Sequence, residues 1–312
     1  MRLSDATANY VAHKQSMGMR FCTEARILKS FCRAMGEVAM HEVKPNRVLA
    51  YLAGARPVTR FWQRKHEALS GFYRFAIARG YAIHSPLPRT VPRPVQSFVP
   101  YIYSREELRR LLDATIAVDK PRSSTDPDTY RTLLLVLYGA GLRISEALAL
   151  TVADVDLTDG ILHIRESKFY KTRLVPLGTD LLRILTQHAR TRRRDCNQAD
   201  SPFFLSRRGD AVTRQAAEIT FRRLRVRAGV LRDGGCPRHQ PRLHDLRHGF
   251  AIHRLVSWYR SGADVQRLLP QLSTYLGHAN IAATQRYLTL TPELLREASA
   301  RFERYAMEAP HE

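Results

Sequence analysis

Arg143, His244, Arg247, His278 and Tyr287 are the side chains of this 312-residue chain whose types and spacing fit one piece of chemistry. Arginine presents a planar fork of N–H donors that matches two phosphate oxygens, a geometry that lysine does not reproduce. Histidine donates hydrogen bonds or shuttles a proton near neutral pH. A tyrosine hydroxyl, suitably activated, is a nucleophile. Two arginines, two histidines and one late tyrosine could therefore hold a phosphodiester, stabilise its developing charge and attack it without a metal. An ester formed on tyrosine stores the energy of the broken backbone bond, so rejoining needs no ATP. Glu146, three residues after Arg143, falls on the same helical face and would hold that arginine or a neighbouring histidine, unless it is simply an exposed glutamate.

These residues lie in three ordered motifs: Gly141-Leu142-Arg143-Ile144-Ser145-Glu146, then His244-Asp245-Leu246-Arg247-His248, then Leu276-Gly277-His278 with Tyr287 nine residues after the histidine. In these motifs and their order the chain resembles the tyrosine recombinase (phage integrase) family, specifically over residues 104–305 and only generally before them. The resemblance implies a mainly α protein with a small β-sheet or hairpin (α+β), in which a helical core-binding domain precedes a tyrosine-recombinase catalytic domain. It implies a site-specific DNA recombinase of integration or transposition that cleaves and rejoins strands through a 3′-phosphotyrosyl intermediate, requires no cofactor, and self-associates as a tetramer on two DNA duplexes. In the family a lysine on a β-hairpin protonates the leaving oxygen. Alignment on Arg173-Leu174-Val175-Pro176-Leu177 favours Lys168 over Lys171, although Phe169 and Tyr170 replace the usual small turn residues. A relaxing enzyme of the type IB topoisomerase kind and a catalytically idle DNA-binding regulator with this fold are the alternatives. Against the second, every expected catalytic residue is present.

The elements that must position these residues are partly legible. Tyr130 to Ala149 reads as one helix, and residues 160–177 read as a hairpin of two aliphatic runs around a polar turn. Ser104-Arg105-Glu106-Glu107 is a capping box opening a helix. Thr291-Pro292-Glu293 caps a C-terminal helix with Leu294, Leu295, Ala298, Phe302 and Tyr305 as its apolar stripe. That helix either covers its own core or, as the resemblance implies, packs in trans on a neighbour. Tyr275 and Tyr305 read as packing residues, and the run Arg190 to Arg194 as the solvated end of a helix.

Residues 84–100 hold five of the sixteen prolines, which deny backbone donors and disfavour helix. The division expected is a helical DNA-binding domain at 1–93, a linker at 94–103 and a catalytic domain at 104–312. Within the first, Trp62, Leu69, Phe72, Tyr73, Ala76 and Ile77 recur at helical spacing up to Gly80, with Arg60, Arg64 and Arg74 on the opposite face as candidate phosphate contacts. Lys171 and Arg173 are further DNA-contact candidates on the hairpin.

Fifty Lys and Arg against 29 Asp and Glu leave a net charge of +21, which points to a polyanionic partner and most naturally to double-stranded DNA. Codon bias can account for a preference for arginine over lysine, but not for the net excess. Residues 1–93 carry 16 Lys and Arg against 5 Asp and Glu, about half of that excess. No apolar run approaches the roughly 20 residues of a membrane span, and Met1 to Thr7 lack the apolar core of a secretory signal, so a cytoplasmic protein is expected. Cys22, Cys32, Cys196 and Cys236 form no Cys-x-x-Cys pair, so neither a disulfide framework nor a zinc knuckle is indicated. His244 and His248 share a helix face as in zinc proteases, but Asp245 stands where those enzymes have glutamate and no third ligand follows at a suitable spacing. No metal site is expected, and His248 and His253 read as structural.

Overall fold

The computed structural model describes residues 1–54, 58, 60–92, 100–117, 124–165, 172–192, 198–234, 239–289 and 291–308. The chain divides into two compact units, Met1–Ser97 and Phe98–Glu312. Both are mainly helical, and the second holds a small antiparallel sheet, the α+β class expected. No helix among the described residues is long and apolar enough to cross a membrane.

The first unit contains helices α1 (Leu3–Ser16), α2 (Cys22–Met35), α3 (Pro45–Ala53) and α4 (Arg60–Ala78). Leu3, Leu28, Phe31, Leu69, Phe72 and Tyr73 fill its core. The apolar stripe of α4 is buried as its periodicity requires, except that Ile77 is exposed. At about 100° per residue, position 77 falls about 40° beyond Tyr73, past the edge of the buried arc. Arg60, Arg64 and Arg74 are exposed on α4, with Arg64 4.0 Å from Glu24.

The second unit opens with α5 (Arg105–Ala117). Its capping box forms as expected: Glu107 N–H donates to Ser104 Oγ at 3.1 Å, and Ser104 N–H to the Glu107 carboxylate at 2.7 Å. Where one helix was expected over Tyr130 to Ala149, the structure has two, α6 (Pro127–Gly139) and the short α7 (Ile144–Leu148). The break is at Gly141, whose φ of +60° belongs to the left-handed region that glycine alone enters freely. A Cβ there would lie 2.6 Å from the Phe250 ring, so space as well as backbone demands glycine. Local helix propensity continues across the break, but tertiary contacts interrupt it.

Strands β1 (Val155–Asp156), β2 (Ile161–Ile164) and β3 (Arg173–Pro176) form a sheet of order β1-β2-β3, so the expected hairpin gains a third strand. Leu162 pairs with Val175 in the β2–β3 register, and both are fully buried. The turn of this hairpin, with Lys168 and Lys171, lies outside the described residues. Helices α8 (Thr179–Thr191), α9 (Arg214–Arg227), α10 (Leu243–Arg260), α11 (Val265–Leu276) and α12 (Ala282–Gln285) follow. The expected solvated basic run after α8 is corrected at Arg192, which is buried and donates from Nε to the Phe203 carbonyl at 3.1 Å.

The last helix, α13 (Pro292–Glu308), docks on α10 of its own chain. Thr291 Oγ1 caps it by accepting from Leu294 N–H at 3.2 Å, and Arg260 pairs with Glu293 and Glu297 at 2.9 and 2.8 Å. The expected apolar stripe is split: Leu294 is 1% exposed, whereas Leu295 and Phe302 are exposed at 50% and 70%. The side chain of Tyr305 lies outside the described residues. Leu294→Ala should accordingly destabilise the second unit by about 2–5 kcal/mol, the usual range for emptying a buried leucine site. Leu295→Ala should stay within about 0.5 kcal/mol. Thermal unfolding of the two variants side by side measures the difference, and equal losses would contradict this seating of α13.

Candidate active site

The three motifs converge on the C-terminal end of α11. The last carbonyls of an α-helix have no partner inside the helix and carry the negative end of its dipole. Here three consecutive ones each accept from a different arginine. The Tyr275 carbonyl takes Arg173 Nε at 2.9 Å, the Leu276 carbonyl takes Arg247 Nη2 at 2.5 Å, and the Gly277 carbonyl takes Arg143 Nη2 at 2.9 Å. Gly277 ends the helix at φ +64°, and a Cβ on it would sit 2.8 Å from Arg173 Nη1. The Leu-Gly-His motif is thus an anchorage for guanidinium groups that come from three other elements.

Glu146 lies under these arginines. Its carboxylate accepts from Arg143 Nη1 at 2.5 Å and from Arg173 Nη1 and Nη2 at 3.1 and 2.9 Å, while Arg247 Nη1 stands 3.9 Å away. It also accepts from Arg143 N–H at 2.9 Å, so the break at Gly141 makes Arg143 the residue that begins α7 and Glu146 its cap. Burial by itself would push this carboxyl up, but the hydrogen bonds and charge of Arg173, followed by those of Arg143, hold it at about 2. The support expected of Glu146 extends to three arginines. Arg173, expected among the DNA contacts, is corrected: its side chain is only 9% exposed, and Nε, Nη1 and Nη2 all donate inward. It is the third strut of the cluster, placed there because β3 runs alongside α11.

Arg247 is 2% exposed and donates from Nη1 to the Gly141 carbonyl at 2.8 Å, which the left-handed turn aims at it. Burial and the neighbouring Arg143 lower its pKa to about 10, so it stays charged at neutral pH. Tyr287, in the 3₁₀ turn Arg286–Thr289, is 3% exposed. Its hydroxyl lies 2.9 Å from His248 Nδ1. Burial raises its pKa, and the charges of Arg247 and Arg143 oppose that rise.

The three histidines nearby are neutral at pH 7. His248 is held at about 4 by burial and then by the charges of Arg242 and Arg247. His278 is held at about 4 by burial and then by Arg247 and Arg143; its Nδ1 bonds Thr284 Oγ1 at 2.6 Å, and its ring stacks beside Tyr287 with centroids 6.1 Å apart. His244 keeps an edge open to solvent, yet desolvation of the rest of its ring, then His248 and Arg247, bring it to about 4 as well. It meets His248 edge to face at 4.7 Å. The structural reading of His248 is corrected, since it is the histidine that touches the tyrosine hydroxyl. His253 bonds Tyr138 through Nδ1 at 2.8 Å, away from the cluster. Tyr275 packs against Phe250 with centroids 5.6 Å apart, as expected of a packing residue.

Arg143 and His244 open onto a cavity of about 590 Å³ that is also lined by Arg214, Arg222, Arg225 and Arg242. Five arginines against Glu218, which pairs with Arg214 at 2.8 Å, leave the groove positive. Those of α9 went unnoticed in the sequence, where their signal was arginine at 214, 222 and 225, spacings that return to one helix face. Lys168 and Lys171 are outside the described residues.

Residues 103–293 match the phage integrase family. The chain is 35% identical to y4rB of Sinorhizobium fredii, named as an integrase/recombinase, over 96% of both chains. It is 33% identical to the tyrosine recombinase XerD of Bifidobacterium longum, over 80% of this chain and 77% of that one. Its fold is similar to that of the Tn1549 transposon integrase solved with transposon right-end DNA, with a TM-score of 0.72, 17% identity and coverage of 98% and 100%. It is also similar to a lambda integrase dimer bound to a core site, with a TM-score of 0.65, 19% identity and coverage of 91% and 97%.

Proposed function

This chain belongs to the phage integrase family of tyrosine recombinases, enzymes of site-specific DNA recombination that break and rejoin strands, and on that premise we propose that it acts through a 3′-phosphotyrosyl ester on Tyr287. The observation that carries this reading is the gathering of Arg143, Arg247, His278 and Tyr287 at the end of α11, with Tyr287 hydrogen-bonded within the cluster. Arg143 and Arg247 grip the non-bridging oxygens of the scissile phosphate. His244 and His278 add hydrogen bonds to it. Tyr287 Oη attacks phosphorus, and the 5′ oxygen leaves with a proton from the hairpin lysine, Lys168 in preference to Lys171. Attack by a 5′ hydroxyl of a partner strand reverses the step and frees the tyrosine.

Double-stranded DNA is the substrate, seated on the arginine-lined groove of the second unit and gripped by the exposed Arg60, Arg64 and Arg74 of the first. The net charge of +21 favours such a polyanion and makes binding strongly salt-dependent. Four protomers assemble on two duplexes to exchange strands. The relation to integrases of phage and transposon origin supports integration or transposition as the biological role.

A duplex nicked near the cleavage site loses its short 5′-hydroxyl fragment after attack and traps the ester. The protein should form a denaturant-resistant adduct on such a duplex in EDTA, because arginine forks supply the charge that a metal supplies elsewhere. No adduct on a duplex that the protein binds would leave the idle-regulator reading standing. Adduct formation with relaxation of supercoils, but without partner exchange on paired sites, would select the topoisomerase reading. Cleavage that EDTA stops and Mg²⁺ restores would overturn the metal-free chemistry.

A further inference from the structure

We propose that His248, and neither His244 nor His278, is the group that takes the proton from Tyr287 as it attacks and returns it when the strand is rejoined. The inference rests on the phosphotyrosyl reading of Tyr287. Its basis is geometric. His248 lies four residues after His244, on nearly the same face of α10, and directs Nδ1 at the tyrosine hydroxyl at 2.9 Å. His278 is turned otherwise: it is stacked alongside the Tyr287 ring, and its Nδ1 is engaged with the buried Thr284. His244 reaches His248 edge to face and lines the arginine groove. The three imidazoles thus divide between the two ends of the reaction, with His248 at the nucleophile and His244 at the open phosphate side.

With a neutral imidazole carrying its proton on Nε2, the phenol donates to the lone pair of Nδ1. As the Tyr287 O–H bond breaks, the proton passes to Nδ1, the phenolate oxygen bonds to phosphorus, and the bond from phosphorus to the 5′ oxygen opens with a proton from the leaving-group acid. Rejoining runs the same path backward, the Nδ1 proton returning to the phenolate as the ester is cleaved. The charged groups facing His248 are Arg247 on its own helix and Arg242 at that helix's N-cap, with His244, His278 and Tyr287 as the titratable ones. Burial first, and then the charges of Arg242 and Arg247, disfavour an imidazolium when the site holds no anion. A phosphate beside Arg247 offsets that part of the charge and raises the basicity of the ring, so proton transfer is favoured when there is something to attack. The same exchange explains why the hydroxyl, buried and slow to ionise, is nevertheless placed against a neutral histidine.

His248→Asn keeps a hydrogen-bond acceptor near the Nδ1 position but cannot take a proton at neutral pH. On the trapping duplex, with folding and DNA affinity verified, it should cleave about a hundredfold or more slowly, the usual contribution of a general base. Its rate should climb steadily with pH. Replacing Tyr287 by difluorotyrosine, whose phenol is more acidic, should restore at least about tenfold in the His248→Asn protein while changing the parent little, since an easily ionised nucleophile depends less on a base. The parent protein separates the two levels of the argument. No adduct from it would sink the phosphotyrosyl reading itself. With the parent active, a His248→Asn protein that cleaves within about threefold of it, or a deficit that difluorotyrosine does not relieve, would overturn the role of His248.

Discussion

Tyr287→Phe should abolish the covalent DNA adduct while leaving folding and DNA affinity nearly unchanged. The substitution removes one oxygen from a ring that is 3% exposed, so the packing of Tyr287 against its neighbours is retained. What is lost is the hydroxyl and its bond to His248. A hydrogen bond of this kind contributes about 1 kcal/mol net, and each partner keeps other neighbours, so the melting temperature moves little. The chemistry has no substitute nucleophile in the cluster. Adduct formation should fall by on the order of 10⁴-fold or more, as expected for loss of a covalent nucleophile. Tyr275→Phe is the matched control, because the Tyr275 hydroxyl donates to the Pro176 carbonyl at 3.3 Å and should contribute only packing. A gel under denaturing conditions decides the matter, and an adduct that persists without the Tyr287 hydroxyl would remove Tyr287 from the mechanism.

Glu146→Gln should weaken folding and cleavage together, and the pH dependence of the loss should identify the cause. The carboxylate neutralises a cluster in which Arg143, Arg173 and Arg247 approach one another behind the site. A pKa near 2 against an ordinary carboxylate value near 4.5 corresponds to about 3 kcal/mol of stabilisation. Because the folded value is depressed, that stabilisation is present in full above the unfolded pKa and disappears as pH falls toward 2. Glutamine gives it up at every pH. The stability gap between parent and variant should therefore be about 3 kcal/mol at pH 7 and should shrink below about pH 4.5, where the parent's own carboxylate begins to lose its advantage. Uncompensated guanidinium charge should also make the variant gain more stability from added sulfate than the parent does. Denaturant unfolding between pH 3 and pH 7 measures this. A pH-independent gap would mean that Glu146 serves through shape alone.

The residues proposed to hold and attack the phosphate were legible because their chemistry is written in type and order. An arginine fork, a His-x-x-Arg pair and a tyrosine nine residues after Leu-Gly-His have few other uses together. Short-range rules also carried through where only neighbours in sequence are involved, as in the Ser104 and Thr291 caps and the β2–β3 pairing. They failed where a distant element intervenes. The helix expected across Tyr130 to Ala149 breaks because Phe250 and Leu276 crowd Gly141, and Arg192 is buried because the carbonyls of Pro202 and Phe203 fold back to accept its hydrogen bonds.

The sequence by itself thus determined the reactive groups, the helical character and the basic charge. Side-chain type and local periodicity do not depend on the rest of the chain. Tertiary structure alone decided which arginine faces the groove and which is spent inside. Arg143 and Arg173 look alike in the chain, yet β3 lays Arg173 along α11, where Glu146 and the Tyr275 carbonyl take its Nε, Nη1 and Nη2 donors. Tertiary structure likewise decided which histidine meets the Tyr287 hydroxyl. His244 and His248 share one face of α10, and only the path of the chain beyond α11, which returns Tyr287 to that face, distinguishes them. Such choices depend on contacts between residues 27 to 102 positions apart, whose geometry no local pattern encodes.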